Sequence, residues 1–214
     1  MRLPPTLLAR PSWRVLGLVA AATLVLVGVG VGAWLWSASQ QQRAAVAYAE
    51  VLTRLENTAS QPPSPEARAA AVRELEATLA TYPSSSAAAR AAYTLGNLCY
   101  AERDYARARA AYEVAVARSS SRTLRTLAHV ALGYTWEAEG NFSRAIDVFQ
   151  ASLNELKPTD FQYEELLVDL ARVQERAGRR DDAIASYRRV LREVPKGART
   201  DDVLTRLASL GAAP

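Results

Sequence analysis

Residues 95–115 read LGNLCYAERDYARARAAYEVA, and the same layout returns at 132–152 as LGYTWEAEGNFSRAIDVFQAS and at 170–190 as LARVQERAGRRDDAIASYRRV. Aligned on Leu95-Gly96, Leu132-Gly133 and Leu170-Ala171, the small residues Ala108, Ala145 and Ala183 share one column. Tyr112, Phe149 and Tyr187 share a second, and Ala115, Ser152 and Val190 a third. Successive anchors lie 37 and 38 residues apart. A period of that length marks stacked supersecondary units. A partial copy precedes them, with Ala71, Leu75, Thr78 and Pro83, and Pro195 closes the third full copy.

The columns have a packing logic. Each unit reads as two antiparallel helices, joined by AERDYARA, AEGNFSRA or RAGRRDDA. Small residues at the anchor and in the Ala column let two helix backbones approach, and the aromatic fills the space beside them. One hairpin cannot bury its apolar face alone, so neighbours stack. A larger side chain at Ala108, Ala145 or Ala183 is expected to cost about 1–3 kcal/mol. The stretch QPPSP (Gln61 to Pro65) interrupts helix, because consecutive prolines cannot occupy a helix interior. Ser64 suits the N-cap of the next helix, with Pro65 at its first position. A terminal helix is expected over 200–210, with Val203, Leu204, Leu207 and Leu210 on one face, Thr200 as cap, and Asp201 and Asp202 at the positive dipole end.

These residues resemble the tetratricopeptide repeat, whose pattern is W-x₂-L-G-x₂-Y…A-x₃-F…P over 34 residues. The resemblance covers residues 44–210. It departs from the pattern at Cys99, Trp136 and Gln174, which hold the slot usually given to Tyr, and at His129 and Leu167, which hold the Trp slot. The three or four extra residues per period are expected in the loops between units. In the resembled family the first helix of each unit lines a concave groove. That implies a peptide-binding set of Arg90, Tyr93, Asn97 and Tyr100 in the first full unit, Val130, Tyr134 and Glu137 in the second, and Asp169, Arg172 and Arg176 in the third. Tyr offers contact area with a polar tip, and Arg suits carboxylates. The family's carboxylate clamp needs Lys and Asn at set places, and only Asn97 matches.

Upstream, the 22 residues from Val15 to Trp36, VLGLVAAATLVLVGVGVGAWLW, carry no charge. As a helix they extend roughly 33 Å, enough for a bilayer core. Trp13 at one end and Trp34 and Trp36 at the other suit the two headgroup boundaries. Arg2, Arg10 and Arg14 precede the span, which places the N-terminus in the cytoplasm and the rest outside it. A cleaved signal peptide would have a shorter apolar run and a smaller exit sequence than WLWSASQ. Gly28 and Gly32 form a G-x-x-x-G pair open to helix pairing. Beyond the span, Val46, Ala49, Leu52 and Leu55 recur at helical spacing, in a helix that either continues from the membrane or restarts near Gln40.

Of 214 residues, half are apolar and 22% charged, which excludes a disordered chain. The net charge of +4 comes mostly from those first three arginines, without which 23 basic residues face 22 acidic ones. The basic excess is a membrane signal rather than a nucleic-acid footprint. One Cys and one His exclude a disulfide framework, a zinc ribbon and multi-histidine metal sites. His129 lacks a nucleophile to serve, and Cys99 reads as a small buried hydrophobe. Glu164, Glu165, Asp169 and Glu175, interleaved with Arg172 and Arg176, read as ion pairs on a solvated helix face. No phosphate loop, serine elbow or zinc signature occurs, so no enzyme, metal or cofactor is expected.

The expected organisation is a cytoplasmic basic N-terminus (1–14), a transmembrane helix (15–36), a stalk (37–43) and an all-α repeat solenoid (44–210). Its units fall near 44–83, 89–120, 126–158 and 164–195, followed by the capping helix. This architecture resembles the bacterial ancillary subunit of the Sec translocon. That resemblance implies an inner-membrane protein with a single span and a periplasmic repeat domain, assisting protein export or folding beside the translocon. Its partners would be proteins or peptides, including the Sec translocon and periplasmic chaperones, and not nucleic acid. The competing expectations are an envelope scaffold coordinating division or outer-membrane assembly, a cytoplasmic adaptor of inverted topology, and a small enzyme.

Overall fold

In the computed structural model, residues 13–57 and 64–213 are described, and all their regular structure is helical. The chain divides into two compact units, residues 1–43 and residues 44–214. The expectations for the basic N-terminus before Trp13 and for Gln61 to Pro63 lie outside the described residues. Helix α1 (Trp13–Asn57) runs through the expected stalk without a break. In the first unit the side chains described from Gly17 to Ala38 are all exposed. Val, Leu and Trp dominate that surface. The helix is long and apolar enough to cross a membrane by length and composition. A β-branched, Gly-containing run is a poor helix former in water, whereas lipid leaves the backbone no other partner.

The second unit is an α-solenoid built from helical hairpins. The distal part of α1 and α2 (Pro65–Thr81) come first. Then follow α3 (Ala88–Ala101) with α4 (Tyr105–Arg118), α5 (Arg122–Ala138) with α6 (Phe142–Asn154), and α7 (Tyr163–Arg176) with α8 (Arg180–Glu193). Helix α9 (Thr200–Ser209) ends the stack. The repeat columns are its core. Ala108, Ala145 and Ala183 are wholly buried, as are Leu75, Phe149 and Ala171. Val51 of α1 joins Ala71, Leu75, Cys99 and Tyr112 in one apolar cluster, and Phe149, Leu167, Tyr187, Val203 and Leu207 belong to another.

The anchor glycines have a specific reason. A Cβ on Gly96 would fall 2.5 Å from Cδ1 of Tyr112, and one on Gly133 would fall 2.6 Å from Cδ1 of Phe149. Each aromatic ring thus lies on the bare backbone of the facing helix, at a distance no side chain permits. Gln174 occupies its aromatic slot as a buried polar group, satisfied by the Ser186 hydroxyl, which donates to it at 2.7 Å. Cys99 is buried in the cluster, and burial pushes its thiol up, opposed by the Arg107 charge. That thiol is a packing group rather than a nucleophile. His129 is half-buried on α5.

The three hairpin turns share one geometry. Arg103, Gly140 and Gly178 each adopt a left-handed backbone, with φ of 63°, 77° and 74°. The following N–H of Asp104, Asn141 or Arg179 donates to Cys99, Trp136 or Gln174 five residues back, each at 2.9 Å. This is a glycine-type helix stop. Asp104 and Asn141 then cap the next helix through their side chains, accepting from Arg107 N and Arg144 N. Ser64 caps α2 in the same way, with Pro65 behind it.

Two expectations need correction. The surplus residues do not all sit in loops: α5 has 17 residues where α3 and α7 have 14, so the first surplus lengthens a helix. The second lies in the connection 155–162. Thr200 is not a side-chain cap. It is the first residue of α9, and its hydroxyl donates back to the Gly197 carbonyl at 2.9 Å. Helix α9 has no side-chain cap; the turn before it is held from α7, where the Glu164 carboxylate accepts the N–H groups of Ala198 and Arg199 at 3.1 and 2.7 Å. Gly197 leaves room for it, since a Cβ there would lie 2.5 Å from Glu164 Cδ.

Two substitutions test this packing by thermal or urea unfolding. Gly133→Ala should destabilise the repeat domain by about 1–2 kcal/mol, because overpacking against the buried Phe149 ring exceeds the gain in helix propensity. Arg103→Gly should stabilise it by up to about 1 kcal/mol, because the left-handed conformation then carries no Cβ penalty.

Candidate functional site

The first helices of the three full units bring a row of tyrosines to one side. Tyr93, Asn97 and Tyr100 follow one another at helical spacing on α3, and Val130 and Tyr134 on α5, with Leu166 and Asp169 facing them from α7. Together they line a pocket of about 280 Å³. The Tyr112 ring lies 5.9 Å from that of Tyr93, and its hydroxyl donates to Asn97 Oδ1 at 2.9 Å. Tyr134 packs edge-on to Phe149 at 5.6 Å and donates its hydroxyl to Asp169 Oδ2. Of the rings that lock the hairpins, Tyr112 also lines the pocket, and Phe149 lies behind Tyr134.

Six of the ten residues expected in the groove line this pocket: Tyr93, Asn97, Tyr100, Val130, Tyr134 and Asp169. The other four do not. Arg90 is exposed outside it. Glu137 is only 5% exposed, and its Oε1 accepts from both Arg172 and Arg176, the latter at 2.7 Å. Arg172 also donates to Asp169 at 2.8 Å, and the Arg176 guanidinium lies 5.0 Å over the Phe142 ring. These two arginines join the second and third units.

The electrostatics follow from those pairings. Asp169 is 5% exposed. Burial pushes its carboxyl up from the ordinary value, against the pull of the Tyr134 hydroxyl and Arg172. Burial, and then the Asp169 hydrogen bond, hold the Tyr134 phenol neutral well above its usual range. Arg172 is held more firmly protonated than usual, since its bonds to Glu137 and Asp169 outweigh the burial that opposes its charge. The expected solvated face of acids and arginines on α7 is therefore a cross-helix network. Glu165 pairs with Arg199 at 2.6 Å, and Glu175 lies 3.8 Å from Arg206.

Several lining residues carried no sequence signal of their own. Tyr112 read only as a packing aromatic, yet it lines the pocket. Leu127 and Ala131 sit one turn from residues already on the α5 face. Gln162 arrives from the 155–162 connection, whose course the repeat pattern does not specify. Its Oε1 is buried without a hydrogen-bond partner. Among the described residues no group of His, Cys, Asp and Glu could hold a metal ion.

Comparisons with known proteins agree with the architecture. Among curated proteins, no sequence matches the chain. A tetratricopeptide repeat protein from Parabacteroides merdae ATCC 43184 superposes with a TM-score of 0.60 at 13% identity, over 77% of this chain and 60% of that one. YrrB, described as a TPR protein with an unusual peptide-binding site, matches with a TM-score of 0.47 at 18% identity, over 60% of this chain and 61% of its own. The chain thus spans about 60% of the length of these solved structures. The model of the tetratricopeptide repeat-like domain family matches residues 12–212. With almost the whole chain inside that match, and its hairpins stacked as described, the protein belongs to the tetratricopeptide repeat-like domain family.

Proposed function

We propose that the chain is a membrane-anchored module that holds an extended segment of a partner polypeptide in the tyrosine-lined groove. The observation that carries this reading is the groove itself: aromatic walls over 280 Å³, with hydroxyl, amide and carboxylate groups converging on it. Such a surface gives broad contact at low entropic cost and orients main-chain groups. Membership in a repeat family of interaction modules supports the same reading. The fully exposed apolar stretch of α1 supports one membrane span at the N-terminal end.

The more specific part of the proposal is cellular. Three arginines before the span favour a bacterial inner-membrane protein with its N-terminus in the cytoplasm and residues 44–210 in the periplasm. A module tethered there is placed to meet polypeptides as they emerge from the Sec translocon and to hand them to periplasmic chaperones. Tethering raises the effective concentration of groove and substrate without any further contact.

Three measurements check these statements. A reporter active only outside the cytoplasm, fused after Pro214, should be active; a cytoplasmic reporter active in its place would overturn the orientation. Photocrosslinkers replacing Tyr93 or Tyr134 should capture polypeptides in living cells, whereas one at exposed Arg118 on α4 should not. Equal capture at all three positions, or none, would contradict the groove. After gentle solubilisation the translocon should co-purify with the chain, and its consistent absence would count against the export role.

A further inference from the structure

The polarity of the pocket is the reverse of what a carboxylate-binding repeat groove requires. Among the described residues, the charged side chains that line it are Glu165 and Asp169, and no cationic side chain lines it. Arg172 and Arg176, which the sequence suggested as anion receivers, both pair with Glu137, and Arg172 also pairs with the lining Asp169. At the rim one cation serves two carboxylates, because Arg199 pairs with both Glu165 and Asp202. Arg172, Arg176 and Arg199 thus face Glu137, Asp169, Glu165 and Asp202, an excess of one negative charge, and it falls on the Glu165 side.

The uncharged groups favour the same kind of occupant. Gln162 lines the same pocket, while its Oε1 is closed off from solvent. The Tyr93, Tyr100 and Tyr134 side chains supply aromatic surface around the same space. An aromatic face attracts a cation, and most strongly a flat, weakly hydrated one. A guanidinium presents five donors and no acceptor, which matches aromatic rings beside the exposed Glu165 carboxylate, whose oxygens have lone pairs beyond those bonded to Arg199. The connection that brings Gln162 also leaves Phe161 95% exposed beside a second, smaller hollow lined by Leu156 and Thr126. Gln162 lines both hollows, so a chain crossing it would meet them in turn.

We infer that the tyrosine-lined pocket receives an arginine side chain from an extended partner polypeptide, with the aromatic walls around the guanidinium and Glu165 at the rim as its carboxylate partner. Lysine fits the same pocket less well, as a more strongly hydrated point charge. The inference rests on the groove binding polypeptide, and it adds which side chain is read.

The test uses the full chain in phosphatidylcholine nanodiscs and four fluorescein-labelled nonapeptides of serine and alanine. They differ only in a central arginine, lysine, norleucine or glutamate. Anisotropy is measured with empty nanodiscs subtracted. The arginine peptide should bind about tenfold tighter than the norleucine peptide and tighter still than the glutamate peptide, with lysine between arginine and norleucine. Glu165→Lys, folded by circular dichroism, should lose that preference and favour the glutamate peptide. Equal binding of all four, preference for glutamate by the unaltered chain, no binding by any up to about 1 mM, or a preference untouched by Glu165→Lys would each overturn the inference. Capture of polypeptides at Tyr134 in cells, combined with equal binding of the four peptides, would defeat this inference alone. Absence of capture would defeat the binding module as well.

Discussion

An aromatic ring pressed against a bare helix backbone is the contact on which the rest of the repeat domain depends. Tyr112 over Gly96 and Phe149 over Gly133 bring the two helices of a hairpin closer than any Cβ allows. Interiors are packed as densely as organic crystals, so a distance fixed at that point propagates to the Ala108 and Ala145 columns beside it. The third hairpin shows how far the device bends. It has Ala171 in place of the glycine, Tyr187 as the ring, and a buried Ser186–Gln174 hydrogen bond at 2.7 Å filling the slot that an aromatic would otherwise hold.

The same contacts supply the groove. Tyr112 and Phe149 come from the second helices, yet they support Tyr93 and Tyr134 from beneath at 5.9 and 5.6 Å. The pocket therefore rests on side chains of the core. Charge is arranged around this floor in two layers. Glu137, Arg172, Arg176 and Asp169 tie α5 to α7. That network is half-buried, so removing one partner would leave a costly unpaired charge. Glu165, Arg199 and Asp202 lie further out, on the rim beside α9, where exposed pairs contribute little to stability and mainly set the field a ligand meets.

The hairpins were legible in the sequence because their columns are short-range and steric. A glycine or alanine facing an aromatic at a fixed offset has few structural meanings, and the turns carry their own signatures in Gly140 and Gly178. Arg103 is the exception, an ordinary residue in the same left-handed backbone. The tyrosine face of the groove was legible for the same reason, since Tyr93, Tyr100 and Tyr134 follow from helical spacing once the hairpins are placed. The polarity of the groove was not. Arg172 stands three residues from Asp169 on its own helix, but its other partner, Glu137, belongs to the preceding unit, and only the packing of α5 against α7 brings them together. Thr200 failed as a cap because it is already inside the helix with its hydroxyl turned back to Gly197, and the turn before it is held by Glu164 from another helix. Gln162 lay in a connection outside the repeat pattern, where periodicity says nothing about direction.

The most direct measurement is a double-mutant cycle between Gly133 and Phe149, read by equilibrium unfolding. If the ring on the bare backbone sets the hairpin, Gly133→Ala should be harmful with Phe149 in place. In a Phe149→Leu background it should be neutral or stabilising, for a coupling of at least about 1 kcal/mol. Equal destabilisation by Gly133→Ala in both backgrounds would contradict the account.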